Sequence, residues 1–363
     1  TYTVSVTTST ALLNSISIQA GTVTFSHGTL GMNSYNWSIS AGATLNHSCT
    51  TGNINCGSSS SPSPSNTSYN NYGTVSVSQG AGAFAQYGGS FNNSGTFSFT
   101  NAAAAAVAYL AGDYNNTGTA TWTMLGASAV IYVAYNAIDT CTVLHGNTTW
   151  TMATTGIIAF GNTAQTIRLL DSFTTPRIAR LDGATIDLNG KTFTCGTFNI
   201  TGNTTAKGIT FNGGSIYITN AGSCFTNSNT SSHNFSTTAG TGQGYINFNN
   251  ASAKTMTTTA NAWTYNCIIG NSNGTLTISL GAFSSTFGGF YAYGGYTGAA
   301  QITLTPTTAA QTQYITNPGT VSGSAGGSSG YGCCLQLVGG LTGVQQTILS
   351  WSGTGLSLIH ISE

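Results

Sequence analysis

The sequence predicts an all-β fold, a right-handed parallel β-solenoid (β-helix) of about a dozen coils of 22–30 residues. Three observations lead there: a shortage of charge, an alternating apolar-polar-apolar step that recurs at coil-like intervals, and clusters of Gly, Asn and Ser between the steps. Six basic and six acidic residues make up 3% of 363, where an ordinary soluble domain carries about 25%. Helical bundles and coiled coils need Glu and Lys on their solvent faces, so this composition excludes both. Six basic residues balanced by six acidic ones leave no electrostatic footprint for a nucleic-acid partner. Hydrophobic residues at 40% and aromatics at 10% still allow a sizeable core. Polarity is carried by hydroxyls and amides. In stacked coils like lies over like, so charged columns repel while Thr, Ser and Asn columns hydrogen-bond along the axis.

The recurring step appears as Val75-Ser76-Val77, Phe97-Ser98-Phe99, Trp122-Thr123-Met124 and Trp150-Thr151-Met152, then as Ile186-Asp187-Leu188, Ile216-Tyr217-Ile218, Ile246-Asn247-Phe248 and Leu276-Thr277-Ile278. The first four are spaced by 22, 25 and 28 residues and the last four by 30 each. Period-2 alternation marks strands with one buried face, and periods of 20–50 residues mark solenoids. A β-sandwich would instead show hairpin spacing of about 8–12 residues. At about 4.8 Å per coil, a dozen coils give a rod on the order of 60 Å long. Right-handed winding is the default for parallel crossovers.

Along the chain, 1–72 reads as N-terminal coils with a long Ser/Pro/Asn-rich loop at 49–71. Residues 73–318 read as the main solenoid, 319–332 as a Gly/Ser-rich loop or linker, and 333–355 as the start of further coils. Residues 356–363 hold the only Glu and resemble a translated sequencing adaptor. The longest apolar stretch, Ala102 to Ala111, is half of the roughly 20 residues a membrane-spanning helix needs, so no span is expected.

Most of the charge falls between Arg168 and Lys191: Arg168, Asp171, Arg177, Arg180, Asp182, Asp187 and Lys191. There the run from Leu181 to Gly196, with Asp187-Leu188-Asn189-Gly190-Lys191-Thr192 at its centre, resembles a coil of large β-helical proteins of phage and phage-like environmental genomes. Ala251 to Met256, Trp263 to Asn266 and Gly274 to Ile278 are similar to a later stretch of those proteins. The resemblance covers roughly 165–305. It implies a virion structural, tail-fibre-like component; its motifs form turns and core, so it carries over no catalytic residue.

Motifs that mimic active sites fail on context. Gly190-Lys191-Thr192 matches the end of a phosphate-binding loop, but Thr185 stands where the loop needs its first Gly. Gly326-Gly327-Ser328-Ser329-Gly330 matches a nucleophile elbow inside low-complexity sequence. A glycan-cleaving solenoid needs two converging carboxylates. Asp113, Asp139, Asp171, Asp182 and Asp187 are the only Asp residues, and Asp171 with Asp182 or Asp187 is the one pairing open to it. A structural ion cluster with Arg168, Arg177 and Arg180 is the preferred reading of those groups. Cys49 and Cys56 bracket a short loop and form the expected disulfide if the protein matures outside the cytosol. With His47 they supply too few ligands for a metal site, and no metal or cofactor is expected. Cys141, Cys195, Cys224 and Cys267 read as small buried hydrophobes.

For binding, Tyr291, Tyr293 and Tyr296 crowd a Gly-rich stretch with Phe283, Phe287 and Phe290, and Tyr69, Tyr72 and Tyr87 gather near the long loop. Exposed Tyr on a rigid scaffold stacks on sugar rings while Asn and Thr supply hydrogen bonds; the preferred alternative is that Phe283, Phe287 and Phe290 are core and the Tyr residues cap it. The expectation is a non-enzymatic structural or adhesive part of a phage virion, located on the virion or extracellularly. Its partners would be a host-surface glycan or envelope component and other virion proteins, and trimerisation (a homotrimer) is open to it. A bacterial secreted or surface adhesin of the same fold is the alternative, and a tailspike-like polysaccharide depolymerase the third.

Overall fold

In the computed structural model the backbone is described for 2–5, 10–27, 31–49, 54–56, 68–81, 83–86, 89–135, 141–145, 147–161, 164–202, 207–229, 234–236, 244–258, 264–280, 286–292, 300–306, 312–316, 335–337 and 348–352, with side chains for most of these positions between 15 and 279. The described residues are strands and turns, with every strand pairing parallel. The chain is a parallel β-solenoid. Among the described residues no helix is long and apolar enough to cross a membrane.

Two compact units, 1–184 and 185–363, divide the chain. In the first, each coil runs over three faces. A seven-stranded first ladder stacks Tyr2–Ser5, Thr22–His27, Thr44–Cys49, Thr74–Gln79, Thr96–Asn101, Thr119–Met124 and Thr149–Met152. The second face carries Ala83–Gln86, Val107–Leu110, Val130–Val133, Ile157–Phe160 and the latter part of Phe173–Leu181. The third carries Ser68–Asn71, Ser90–Asn93, Tyr114–Asn116, Cys141–Leu144 and Thr166–Leu169. Ile54–Cys56 and Ser68–Asn71 fall inside 49–71, so that segment contributes two rungs besides its loop. The boundary near residue 72 lies within continuous pairing of Thr44–Cys49 with Thr74–Gln79.

The second unit repeats the scheme. Thr192–Ile200 pairs through its first half with Ser215–Ile218 and through its second with Gly222–Asn227, and these ladders continue through Gly244–Phe248 and Lys254–Thr258. Leu335–Leu337 and Ile348–Ser352 add rungs within 333–355, while 319–332 and 356–363 lie outside the described residues. Register partners are 21 residues apart at Tyr2↔Val23, 30 at Ile216↔Ile246 and 33 at Ile302↔Leu335, a wider range of coil lengths than the alternation suggested.

Alternation is what closes the core. Thr74–Gln79 buries every second side chain, and Val75 lies under Phe97, which lies under Ala120. Trp37, Tyr69, Phe91 and Tyr114, in register on the third face, form a buried column with ring centroids 5.8, 5.1 and 5.0 Å apart. Parallel strands space like residues by about 4.8 Å, close to the offset-stacking optimum, so register itself builds the column. First-face aromatics meet it edge-on, Phe97 5.0 Å from Phe91. Each buried ring contributes about 1.5–3 kcal/mol through area removed from water, and each ring pair about 0.5–1.5 kcal/mol more.

Where the third face turns back to the first, the sequence repeats as Tyr69-Asn70-Asn71-Tyr72-Gly73-Thr74, Phe91-Asn92-Asn93-Ser94-Gly95-Thr96 and Tyr114-Asn115-Asn116-Thr117-Gly118-Thr119. The second Asn of each is buried. Its amide donates along the stack, Asn71 Nδ2 to Asn93 Oδ1 at 2.7 Å and Asn93 Nδ2 to Asn116 Oδ1 at 2.7 Å. The same nitrogens donate to the Thr96 and Thr119 carbonyls. The first Asn of each forms a parallel, part-buried ladder outside. The glycine fixes how closely coils stack: a Cβ on Gly95 would sit 2.0 Å from the Gly73 carbonyl oxygen.

Candidate functional site

The outward positions of the second face in unit 1 gather half-exposed aromatic and charged side chains. Val107–Leu110 and Val130–Val133 alternate with their apolar residues inward, which turns Tyr109 and Tyr132 outward in register. Their rings stack 5.2 Å apart and within 7° of parallel. Directly after the second strand Ala134 takes φ of 53°, a left-handed conformation costing a non-glycine residue about 1–2 kcal/mol. That turn brings Tyr135 back onto the pair, its ring 4.6 Å from Tyr109 and 5.1 Å from Tyr132 at steep angles. The strained backbone is held on both sides: Tyr135 N donates to the Leu110 carbonyl, and Gln165 Nε2 donates to the Ala134 carbonyl.

Continuing along the same register, Tyr132 is followed by Ala159 and then Arg180. Ala159 is small and fully buried at an outward position. The Arg180 guanidinium lies 5.8 Å from the Tyr132 ring centroid, with Nη2 3.5 Å from the Tyr132 hydroxyl. Asp182 clamps it in a two-pronged pair, Nε to Oδ1 and Nη2 to Oδ2, both at 2.7 Å. Partial burial works against the Arg180 cation, but Asp182 and the Tyr132 hydroxyl outweigh it and raise its pKa above the ordinary value. The site therefore combines apolar ring faces with a fixed donor fork and a fixed acceptor of nearly cancelling charge.

The other described carboxylates are separately engaged. Asp171 pairs through Oδ2 with His145 Nδ1 at 2.9 Å and through Oδ1 with the Asn147 amide. Asp113 accepts from the Val143 amide, and Asp187, in the second unit, accepts from the Asn189 amide and Asn212 Nδ2. Of the ion cluster expected of Asp171, Asp182 and Asp187 with Arg168, Arg177 and Arg180, the Arg180–Asp182 pair forms, because the turn after Leu181 returns Asp182 beside Arg180.

Tyr291 is the penultimate residue of a strand, Thr286–Ala292, at the register position of Gly270; its side chain, and Tyr293 and Tyr296 altogether, lie outside the described residues. Tyr69 is no surface group but fully buried in the aromatic column, because it occupies an inward position of Ser68–Asn71. Cys49 and Cys56 close strands on the first and second faces, and their side chains, like that of Cys141, lie outside the described set. Cys195, Cys224 and Cys267 are free and buried, packed as small hydrophobes. Burial pushes the Cys224 thiol up to about 11 and those of Cys195 and Cys267 higher still. His47 is buried, with Phe25 and Trp37 6.1 Å away on either side.

The sequence carries a signal for the Tyr109 and Tyr132 pair. In Val107-Ala108-Tyr109-Leu110 and Val130-Ile131-Tyr132-Val133 an aromatic stands at the polar step of the alternation, twice, one 23-residue coil apart. No family model, curated protein or solved structure matches this chain.

Proposed function

We propose that this chain is a non-enzymatic structural and adhesive component of a phage virion, contacting a host-surface glycan or envelope component. The observation that carries the adhesive part is the Tyr109–Tyr132–Tyr135 group with its charge-compensated Arg180–Asp182 neighbour, held on a hydrogen-bonded scaffold. Aromatic faces beside a few fixed polar groups are what a binding surface needs, and the scaffold orders them before the ligand arrives. The virion assignment draws on the resemblance of 165–305 to phage β-helical proteins. Asp113, Asp171, Asp182 and Asp187 each hold a neighbouring amide, His or Arg, which favours a structural role for them over cleavage of a glycosidic bond.

The test is peptide mass spectrometry on nuclease-treated, density-purified virus particles and, separately, on cell envelopes from the same source. Co-enrichment with capsid peptides is expected. Enrichment in envelopes instead would replace the proposal with a bacterial surface adhesin of the same fold, and loss of viscosity in a host polysaccharide would replace it with a depolymerase.

A further inference from the structure

We propose that Tyr109, Tyr132 and Tyr135, together with the Arg180–Asp182 pair, form a binding site for neutral pyranose sugars. The inference rests on the adhesive reading above and names its ligand class. A pyranose ring offers an apolar C–H face and a rim of hydroxyls that both donate and accept. Tyr109 and Tyr132 stack nearly parallel, and Tyr135 stands at 54° and 61° to them; all three are half-buried, so part of each ring meets solvent. Sugar C–H faces pack on such surfaces, and Tyr supplies them at low conformational cost. Beside the rings, Asp182 offers carboxylate acceptors and Arg180 fixed donors, which suits a pair of adjacent hydroxyls, one donating and one accepting.

Charge decides between neutral and acidic sugars. Arg180 already spends two N–H groups on Asp182 at 2.7 Å, and an anionic sugar would have to approach that carboxylate. The ladder position between Tyr132 and Arg180 is Ala159, whose small side chain lets the guanidinium fold back toward the rings. The left-handed Ala134 points the same way. Strain at a non-glycine residue persists where the surroundings impose it, and here its consequence is to place Tyr135 against the other two rings.

The test is affinity gel electrophoresis of the full chain through dextran, mannan, galactomannan and arabinoxylan, with alginate as the acidic comparator. Retardation by at least one neutral polysaccharide, and weaker retardation by alginate, is expected. The double variant Tyr109→Ala/Tyr132→Ala should lose about tenfold or more in affinity, and Asp182→Asn should weaken binding without abolishing it. Should the double variant fail to fold by circular dichroism, nitration of the wild-type chain decides instead: the polysaccharide should protect Tyr109, Tyr132 and Tyr135 from tetranitromethane. No retardation by any neutral polysaccharide, undiminished binding by a folded double variant, or equal nitration with and without sugar would each overturn the site. The two proposals fail separately: sugar binding by a protein found only in envelopes keeps the site and removes the virion assignment, while a virion protein without sugar binding does the reverse.

Discussion

Replacing Asn93 by Ala tests the internal amide ladder at its centre. Asn93 accepts from Asn71 Nδ2 and donates to Asn116 Oδ1 and the Thr119 carbonyl, and it is 1% exposed. Losing these bonds at a net of about 0.5–1.5 kcal/mol each, and leaving the buried Asn116 Oδ1 without its donor, gives a cost of about 3–5 kcal/mol. Its neighbour Asn92 supplies the control. Asn92 donates to Asn70 and accepts from Asn115 in the part-buried outer ladder, where water replaces lost partners, so Asn92→Ala should cost about 1 kcal/mol. The assay is guanidinium unfolding followed by tryptophan fluorescence, since Trp122 and Trp150 are buried in the same unit. A third variant adds a sign. Asn93→Asp puts a carboxylate oxygen against the Thr119 carbonyl and Asn116 Oδ1, which disfavours ionisation and raises the folded-state pKa. Its stability should be fullest below the unfolded carboxylate pKa of about 4 and decline as pH rises above that value. Equal costs for Asn93→Ala and Asn92→Ala, or an Asn93→Asp protein most stable at neutral pH, would refute the role given to the inner ladder.

Stacking distance gives another expectation: Gly95→Ala would push a methyl to 2.0 Å from the Gly73 carbonyl oxygen, so it should destabilise by about 3 kcal/mol or more, whereas Gly42→Ala meets open space and should cost only the left-handed strain of about 1–2 kcal/mol, both read by the same unfolding assay. The buried thiols predict a falling stability in alkali. Burial raises the Cys224, Cys195 and Cys267 pKa values, so unfolded chains lose these protons first as pH rises past about 9; stability should be full below that pH and decline toward 11, with less decline in Cys224→Ala. Lys254 has its Nζ among the carbonyls of Asn250, Ser252 and Asn273 at a turn of the second unit, so Lys254→Met should lower the thermal midpoint, at a cost of about 2–4 kcal/mol, while leaving the sugar retention of the first unit intact.

How much of this was legible follows from particular residues. Val75 and Phe97 were matched as one coil apart, and they are register partners. Trp122 stacks on Phe99 and under Trp150, one step of alternation away from the Phe97 that the spacing pairs it with. The 30-residue series holds at Ile216 and Ile246 alone: Ile186 sits on a different face, and Leu276 pairs with Lys254 and Ile302 instead of Ile246. All three faces bury alternate residues in the same way, so an apolar-polar-apolar step reveals a strand without revealing its face, and loops of unequal length between faces then allow false coincidences. The Asn-Asn-x-Gly-Thr repeat at 70–74, 92–96 and 115–119 is the better signal, because buried amides and close backbone approach at a corner constrain every coil that shares it. The surface proposed for binding is hard to read from sequence for a related reason. Sequence crowding drew attention to Tyr291, Tyr293 and Tyr296, whereas Tyr109, Tyr132 and Arg180 meet only through coil register.

The most direct test of the account is immunogold electron microscopy of purified virus particles with antibody raised against the full chain. Gold at the host-contacting extremity of the particles is the predicted result. Gold confined to cell surfaces, with bare particles, would contradict it.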